Sequence, residues 1–151
     1  MPYKVYALSV KYPQGAEKQL IKAVTNRKVP AGGLPMDVGC VVQNVGTAAA
    51  TYDAVALQKP LLERVVTVTG DGINEPKNLL VPIGTPFSHV LEQCGGLKDN
   101  AGKIIMVGPM MGLAQSDVEA PVIKGTSGLL ILNEKQTRAR QERTCISCAH
   151  C

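Results

Sequence analysis

The stretch RVVTVTGDGINEPKNLLVPIG, residues 64–84, decides the fold of the larger part of the chain. Residues 64–70 are rich in β-branched residues and alternate in hydrophobicity, which is typical of a strand. The segment DGINEPK supplies turn residues, and residues 78–84 form a second apolar run. These two runs and the turn between them predict a β-hairpin.

The segment that follows the hairpin, TPFSHVLEQCGG at residues 85–96, predicts a helix. Thr85 is the expected cap, Pro86 the first helical residue, and the Gly-Gly pair the end of the helix. Further apolar runs predict strands at residues 103–108, 120–123 and 128–133. A hairpin, a helix and further strands in this order favour a small β-grasp, ubiquitin-like domain.

The first 60 residues have a different sequence pattern, which predicts alternating strands and helices in an α/β arrangement. Strands are expected at residues 5–10 and 38–45, and helices at residues 16–26 and 46–57, the second of them capped by Thr47. The fold class is therefore α/β (α+β), with a domain boundary near Lys59 to Leu62. The predicted parts are residues 1–60, 61–133 and 134–151.

The last part begins with a polar segment, NEKQTRARQERT at residues 133–144. It predicts a helix with Asn133 as its cap. Because its apolar side is nearly absent, we expect this helix to bridge two bodies or to lie on a surface, and to lead to a further domain.

The chain closes on three evenly spaced cysteines, Cys145, Cys148 and Cys151. This spacing matches the first three ligands of the bacterial ferredoxin pattern, so it favours a 4Fe-4S cluster. Zinc, with His150 as an additional ligand, is the first alternative. Three thiolates leave one corner of a cubane without a ligand, so we expect a piece of a longer protein that holds no stable cluster by itself.

Composition excludes several classes of function. Aromatic residues make up 3% of the chain and Trp is absent, so base-stacking platforms for nucleic acid are not expected. No apolar run reaches the length of a membrane span, and no secretory leader is recognisable. Cys40 and Cys94 stand apart from the cluster and are predicted to be small buried residues. No nucleophile with a placed base is apparent, so no catalytic residue is assigned.

Six motifs occur in an order that resembles a known family. They are KYPQGAEKQLI (11–21), GGLPMDVGCVVQNVGTAAA (32–50), ERVVTVTG (63–70), VGPMMG (107–112), KGTSGLLIL (124–132) and CISCAHC (145–151). With these motifs the chain closely resembles the RnfC family of the bacterial Rnf electron-transport complexes, over essentially its whole length.

The resemblance implies a peripheral subunit of a membrane-bound ferredoxin:NAD oxidoreductase that couples electron flow to ion translocation. Implied cofactors are FMN, NAD(H) and 4Fe-4S clusters, and implied partners are ferredoxin and the other Rnf membrane subunits. The implied location is the cytoplasmic face of the bacterial inner membrane. The implied domains are the end of a flavoprotein domain similar to that of complex I, an SLBB domain of β-grasp fold, and the start of a ferredoxin motif.

The resemblance also implies flavin contacts. Glu17 falls where related proteins have a Gly-Glu-Glu segment, although Ala16 replaces the first Glu. Asn44 and Thr47 fall where they have Asn-Asn-Val-Glu-Thr against the flavin. The alternative is that each of these residues is a helix cap or turn residue. Because the family's glycine-rich phosphate loop precedes this region, the chain alone is expected to bind FMN weakly and to be inactive.

Two other functions remain open. The cobalamin reductase of propanediol metabolism, PduS, shares the same layout of domains. Alternatively, the β-grasp domain is a scaffold without redox chemistry that docks partners or a small ligand, with Met110 and Met111 at an exposed tip. Core packing is the competing prediction for these two methionines.

Overall fold

The chain divides into two units between Leu57 and Gln58. The computed structural model describes residues 3–137. Residues up to Leu57 are called the N-terminal unit here, and those from Gln58 the C-terminal unit. Among the described residues, no helix is long and apolar enough to cross a membrane.

The C-terminal unit contains one mixed five-stranded sheet. The strands are β1 (Glu63–Thr69), β2 (Lys77–Pro82), β3 (Ala101–Met106), β4 (Leu113–Gln115) and β5 (Gly128–Asn133). Their order in the sheet is β2-β1-β5-β3-β4. β1 pairs with β2 antiparallel and with β5 parallel, and β3 pairs antiparallel with both β5 and β4. A hairpin followed by a helix, with the last strand parallel to the first, is the predicted β-grasp.

Alternation along β1 sorts its side chains between the two faces of the sheet. Val66 and Val68 are fully buried, whereas the neighbouring Val65 is 59% exposed. Successive residues of a strand point to opposite faces, so this pattern directs one face into the core. The buried apolar residues form a single cluster: Val66, Val68, Ile73, Val81, Phe87, Val90, Leu91, Cys94, Ile104, Val122, Leu129 and Ile131.

Helix α3 is shorter than its sequence pattern predicts. It spans Phe87–Glu92, and Pro86 takes the capping position with extended backbone angles. The predicted Thr85 cap is wrong, because its hydroxyl donates instead to the Pro82 carbonyl of β2 at 2.9 Å. The helix does end before Gly95 and Gly96, which both have positive φ.

Residues 120–123 do not form the predicted strand. They make one isolated bridge, Pro86 to Pro121, flanked by a bond from the Val122 N–H to the Thr85 carbonyl at 2.8 Å. Proline has no N–H to donate, so a proline opposite a proline interrupts any ladder here.

Helix α4 (Glu134–Thr137) follows β5 directly. Asn133 accepts from the Gln136 N–H at 3.0 Å, and Gln136 accepts from the Asn133 N–H at 3.0 Å. This reciprocal capping box confirms the predicted cap. The rest of the predicted polar helix, residues 138–144, lies outside the described residues.

The N-terminal unit is helical where it is regular. It contains α1 (Glu17–Thr25), a 3-10 turn (Pro35–Val38) and α2 (Val45–Ala56). The strands predicted at residues 5–10 and 38–45 are absent from the described part of this unit. A strand needs a partner for its N–H and C=O groups, and the described residues of this unit offer none. Val38 instead ends the 3-10 turn, which Gly39 caps with a φ of 67°. Residues 40–44 have no regular secondary structure, and Val45 begins α2.

Candidate functional site

The three residues predicted to contact flavin all lie at the N-terminal ends of helices. Glu17 is the first residue of α1, Asn44 is the N-cap of α2, and Thr47 is in the first turn of α2. All three are exposed. The first turn of a helix presents free N–H groups and a partial positive charge, which suit a polar or anionic ligand.

Asn44 is the cap of α2, which corrects the prediction that Thr47 would cap this helix. The Asn44 Oδ1 accepts from the Gly46 N–H at 2.8 Å. This bond uses only the side-chain oxygen, so the two N–H groups of the Asn44 amide are left to donate elsewhere. Asn44 is therefore a helix cap, as the alternative predicted. Its contact with flavin stays a prediction, because capping does not use the amide N–H groups.

Thr47 lies in the first turn of α2, three positions after the Asn44 cap. Its carbonyl accepts from the Thr51 hydroxyl at 2.8 Å, one turn further along the helix. Within residues 3–137, no hydrogen bond or ion pair joins Glu17 to Asn44 or Thr47. The structure therefore brings two of the three predicted residues together, on α2, and leaves Glu17 on a separate helix.

These residues are carried by a unit that exposes most of its apolar side chains. Ile21 is the one buried residue among residues 3–57. The exposed large apolar side chains of the unit are Tyr3, Val5, Tyr6, Leu8, Val10, Tyr12, Leu34, Met36, Val41, Val45, Tyr52, Val55 and Leu57. An exposed apolar surface of this extent marks a region that contacts further protein or a ligand.

The cysteines predicted as metal ligands lie outside the described residues. Cys94 is fully buried, and burial raises the pKa of its thiol, so it is a core residue as predicted. Cys40 is only half-buried, which corrects its assignment to a core, and its thiol donates to the Val38 carbonyl at 3.6 Å. Between residues 3 and 137 no group of three or more His, Cys, Asp or Glu residues is arranged to hold a metal.

Met110 and Met111 lie in the turn between β3 and β4 and are 64% and 87% exposed. This exposure shows that the prediction of core packing for the two methionines is wrong. The turn is tightly built, because a Cβ on Gly112 would lie 2.4 Å from the Gly108 carbonyl oxygen. Val107 at its start has a φ of 77°, which is a rare conformation for a β-branched residue.

Asp71 is a residue that the sequence pattern did not single out. Its carboxylate accepts from the side-chain amide of Gln136 at 2.9 Å and from that of Asn133 at 3.5 Å. These partners lie 65 and 62 positions away in the sequence, so no local motif signals the contact.

Comparison with known proteins finds one family match within each unit. Residues 2–53 match the Nuo51 FMN-binding domain family, and residues 65–114 match the SLBB domain family. The SLBB match ends before β5, which the structure nevertheless places at the centre of the same sheet.

Three relatives match nearly the whole chain. The C subunit of the proton-translocating ferredoxin:NAD(+) oxidoreductase complex of Clostridium ljungdahlii is 53% identical over 98% of the chain and 32% of its own length. The Na(+)-translocating counterpart of Acetobacterium woodii is 49% identical over 98% of the chain and 33% of its own length. The C subunit of the ion-translocating oxidoreductase complex of Rhodobacter capsulatus is 41% identical over 99% of the chain and 29% of its own length.

The chain thus spans about a third of the length of these relatives. The order of the two matched domains agrees with the two units of the structure. The resemblance to RnfC is confirmed: over nearly its whole length the chain is a homologue of the C subunits of the ion-translocating oxidoreductase complexes.

Proposed function

We propose that the chain forms part of the peripheral electron-transfer subunit of a membrane-bound ferredoxin:NAD oxidoreductase of the Rnf type. In this subunit, electrons pass between NAD(H), FMN and 4Fe-4S clusters, and their flow is coupled to ion translocation. The observation that carries the proposal is the 53% identity to such a subunit over 98% of the chain. The named ions of the relatives differ, protons in one and sodium in another, so the proposal specifies no ion.

The proposal assigns a task to each part of the chain. Residues 1–60 contribute to the flavin site, residues 61–133 form the SLBB domain, and residues 134–151 lead into and ligate a cluster. The proposed partners are ferredoxin and the other subunits of the complex. The proposed location is the cytoplasmic face of the bacterial inner membrane, where the subunit is peripheral.

The residues proposed to hold FMN are Glu17, Asn44 and Thr47. The fit of Asn44 and Thr47 rests on the exposed N-terminal end of α2 and on the two amide N–H groups of Asn44, which its capping bond does not use. Glu17 is proposed from the family resemblance and from its exposed position at the start of α1. A bound FMN would supply the exchange between two-electron transfer with a nicotinamide and one-electron transfer with the clusters. The protein's own task is to orient the flavin with the Asn44 amide, the Thr47 hydroxyl and the Glu17 carboxylate.

The two roles of Asn44 separate in a pair of substitutions. Asn44→Ser keeps a good capping oxygen but removes the amide donors, so we expect unchanged stability and an FMN affinity about five- to ten-fold lower, as for one lost hydrogen bond. Asn44→Ala removes both functions and is expected to cost about 1 kcal/mol of stability as well. FMN titration and thermal unfolding of a full-length protein with this sequence measure both quantities.

Asn78→Ser, the same replacement at an exposed asparagine of β2, is the matched control and should leave FMN affinity unchanged. Equal FMN affinity of the parent and of Asn44→Ser would reduce Asn44 to a cap and remove it from the proposed site.

Cys145, Cys148 and Cys151 are the proposed cluster ligands. In a full-length protein with this sequence, purified without oxygen, Cys145→Ser is expected to remove about four iron atoms per molecule, one cubane. Cys40→Ser, at the half-buried cysteine of the N-terminal unit, should retain the full iron content. Iron, sulfide and zinc analysis of the three proteins reads out the result, and zinc without iron in the parent would refute the electron-transfer proposal.

The exposure of Met110 and Met111 favours a second candidate, a docking scaffold without redox chemistry. A full-length protein with this sequence should be brown from its clusters and yellow from its flavin under the first proposal, and colourless under the second. The names of the relatives above favour the Rnf assignment over that of a cobalamin reductase.

A further inference from the structure

The loop between β1 and β2 begins Gly70-Asp71-Gly72 and lies directly against the end of β5. The Gly72 N–H donates to the Ile131 carbonyl at 3.1 Å. A Cβ on Gly70 would lie 2.1 Å from the Ile131 carbonyl oxygen, and one on Gly72 would lie 2.6 Å from the Ile131 Cγ2. Only residues without a side chain permit this approach.

The close approach brings Asp71 to the start of α4. The Asp71 carboxylate accepts from Gln136 and Asn133, the two residues whose side chains form the capping box of α4. The side-chain NH2 groups of Gln136 and Asn133 therefore donate to Asp71, while their side-chain oxygens accept the N–H bonds of the capping box. Bonds to an ionised acceptor are stronger than bonds between neutral groups.

β3 holds the other side of α4. A Cβ on Gly102 would lie 2.6 Å from the Thr137 Oγ1 and 2.9 Å from the Glu134 Cα. The Glu134 N–H donates to the Asn100 carbonyl, just before β3, at 2.9 Å. Helix α4 is thus packed against the backbone of the sheet and hydrogen-bonded from two separate loops.

We propose that this arrangement, the α4 clamp (Asp71, Gly102, Asn133 and Gln136), fixes the point at which the chain leaves the sheet toward the cluster ligands. Thr137 precedes Cys145 by eight positions in the sequence. Asp71 is a positioning residue in this proposal, since it acts through α4 and does not touch the cluster. The inference rests on the proposed function, because it assigns the β-grasp sheet the task of holding the cluster segment at a set place.

The first test is hydrogen exchange at the backbone amides of Glu134 and Gln136. Asp71→Ala should speed their exchange about ten-fold or more, as for the loss of a hydrogen bond to a charged group. Gly102→Ala should speed it further, because its methyl group must displace Glu134 or Thr137. The matched controls are Asp117→Ala, where the carboxylate accepts from the Glu119 N–H at 2.8 Å, and Gly125→Ala, where a Cβ meets nothing within 4 Å.

The second test uses a full-length holo-protein with this sequence. Each NADH oxidised to NAD+ delivers two electrons, and rapid mixing measures how fast they bleach the cluster absorbance. We expect Asp71→Ala to slow this bleaching several-fold while iron content, flavin content and cluster potential stay at the parent values. If the bleaching rate changes while cluster potential, iron content and flavin content stay constant, the position of the cluster has changed. A role of Asp71 in stability alone would leave the bleaching rate unchanged.

Faster exchange with an unchanged bleaching rate would overturn the positioning role and leave the electron-transfer proposal standing. Unchanged exchange at Glu134 and Gln136 in both variants would overturn the α4 clamp itself. A parent protein without iron would overturn the proposed function and, with it, this inference. Iron analysis thereby distinguishes the two failures.

Discussion

Phe87→Ala is expected to lower the free energy of unfolding of the C-terminal unit by about 3–5 kcal/mol. Phe87 is the one phenylalanine of the chain and is 1% exposed. It begins α3 and lies in the core cluster between that helix and the sheet. Its removal deletes apolar contacts and leaves a cavity that a rigid sheet fills only in part.

Native-state hydrogen exchange of the β5 amides measures this loss for the C-terminal unit alone. Tyrosine fluorescence would not serve, because all four tyrosines, Tyr3, Tyr6, Tyr12 and Tyr52, precede Gln58. Leu80→Ala is the control, since Leu80 is 62% exposed and should change stability by about 0.5 kcal/mol or less. Similar losses for the two variants would show that Phe87 is not an essential part of the core.

Gly70→Ala is expected to destabilise the same unit by about 3 kcal/mol or more, from two separate causes. Its φ of 119° is unfavourable for any residue with a Cβ, at about 1–2 kcal/mol. The added Cβ would also lie 2.1 Å from the Ile131 carbonyl oxygen, 2.8 Å from its carbonyl carbon and 2.8 Å from its nitrogen. These are backbone atoms of a central strand, so they cannot rotate away as a side chain can.

Gly84→Ala separates the two causes. Gly84 has a φ of 99°, but a Cβ there meets nothing within 4 Å. We expect this variant to lose about 1–2 kcal/mol, the backbone cost alone. The same exchange measurement applies to both variants, and equal losses would mean that the contact with β5 carries no cost.

The β-grasp fold could be predicted from the sequence because its sequence patterns are local and agree with one another. Alternation in β1 matches the burial of Val66 and Val68, and the turn residues that follow suit a hairpin. The run at residues 128–133 coincides with β5. Phe87, Val90 and Leu91 stand three and four positions apart, the spacing of one side of a helix, and all three are buried.

The strands predicted in the N-terminal unit failed for a physical reason. An apolar run reports that side chains prefer burial, but it does not supply the neighbouring backbone that a strand requires. Val5 and Val41 have strand-like neighbours in sequence, yet both side chains are exposed. Proline had a similar effect at Pro121, where the ladder lacks a donor.

The cap of α2 was misassigned because two good capping residues stand three positions apart. Asn44 and Thr47 both satisfy the local preference, and the hydrogen bond to the Gly46 N–H decides for Asn44. In the candidate site, spacing alone suggested the cysteines, while the flavin residues came from a family resemblance. The contacts of Asp71 could not be predicted from the sequence, because the fold of the whole sheet brings its distant partners to it.

The position of β5 has a consequence for synthesis on the ribosome. β5 lies between β1 and β3, yet it is the last of the five strands of this sheet to be translated. The β1–β2 hairpin and β3 therefore cannot join into one sheet until Asn133 has left the exit tunnel. Until then their apolar faces are exposed and can be bound by chaperones. A nascent chain that stops before Gly128 has every other part of this sheet and no central strand to join them.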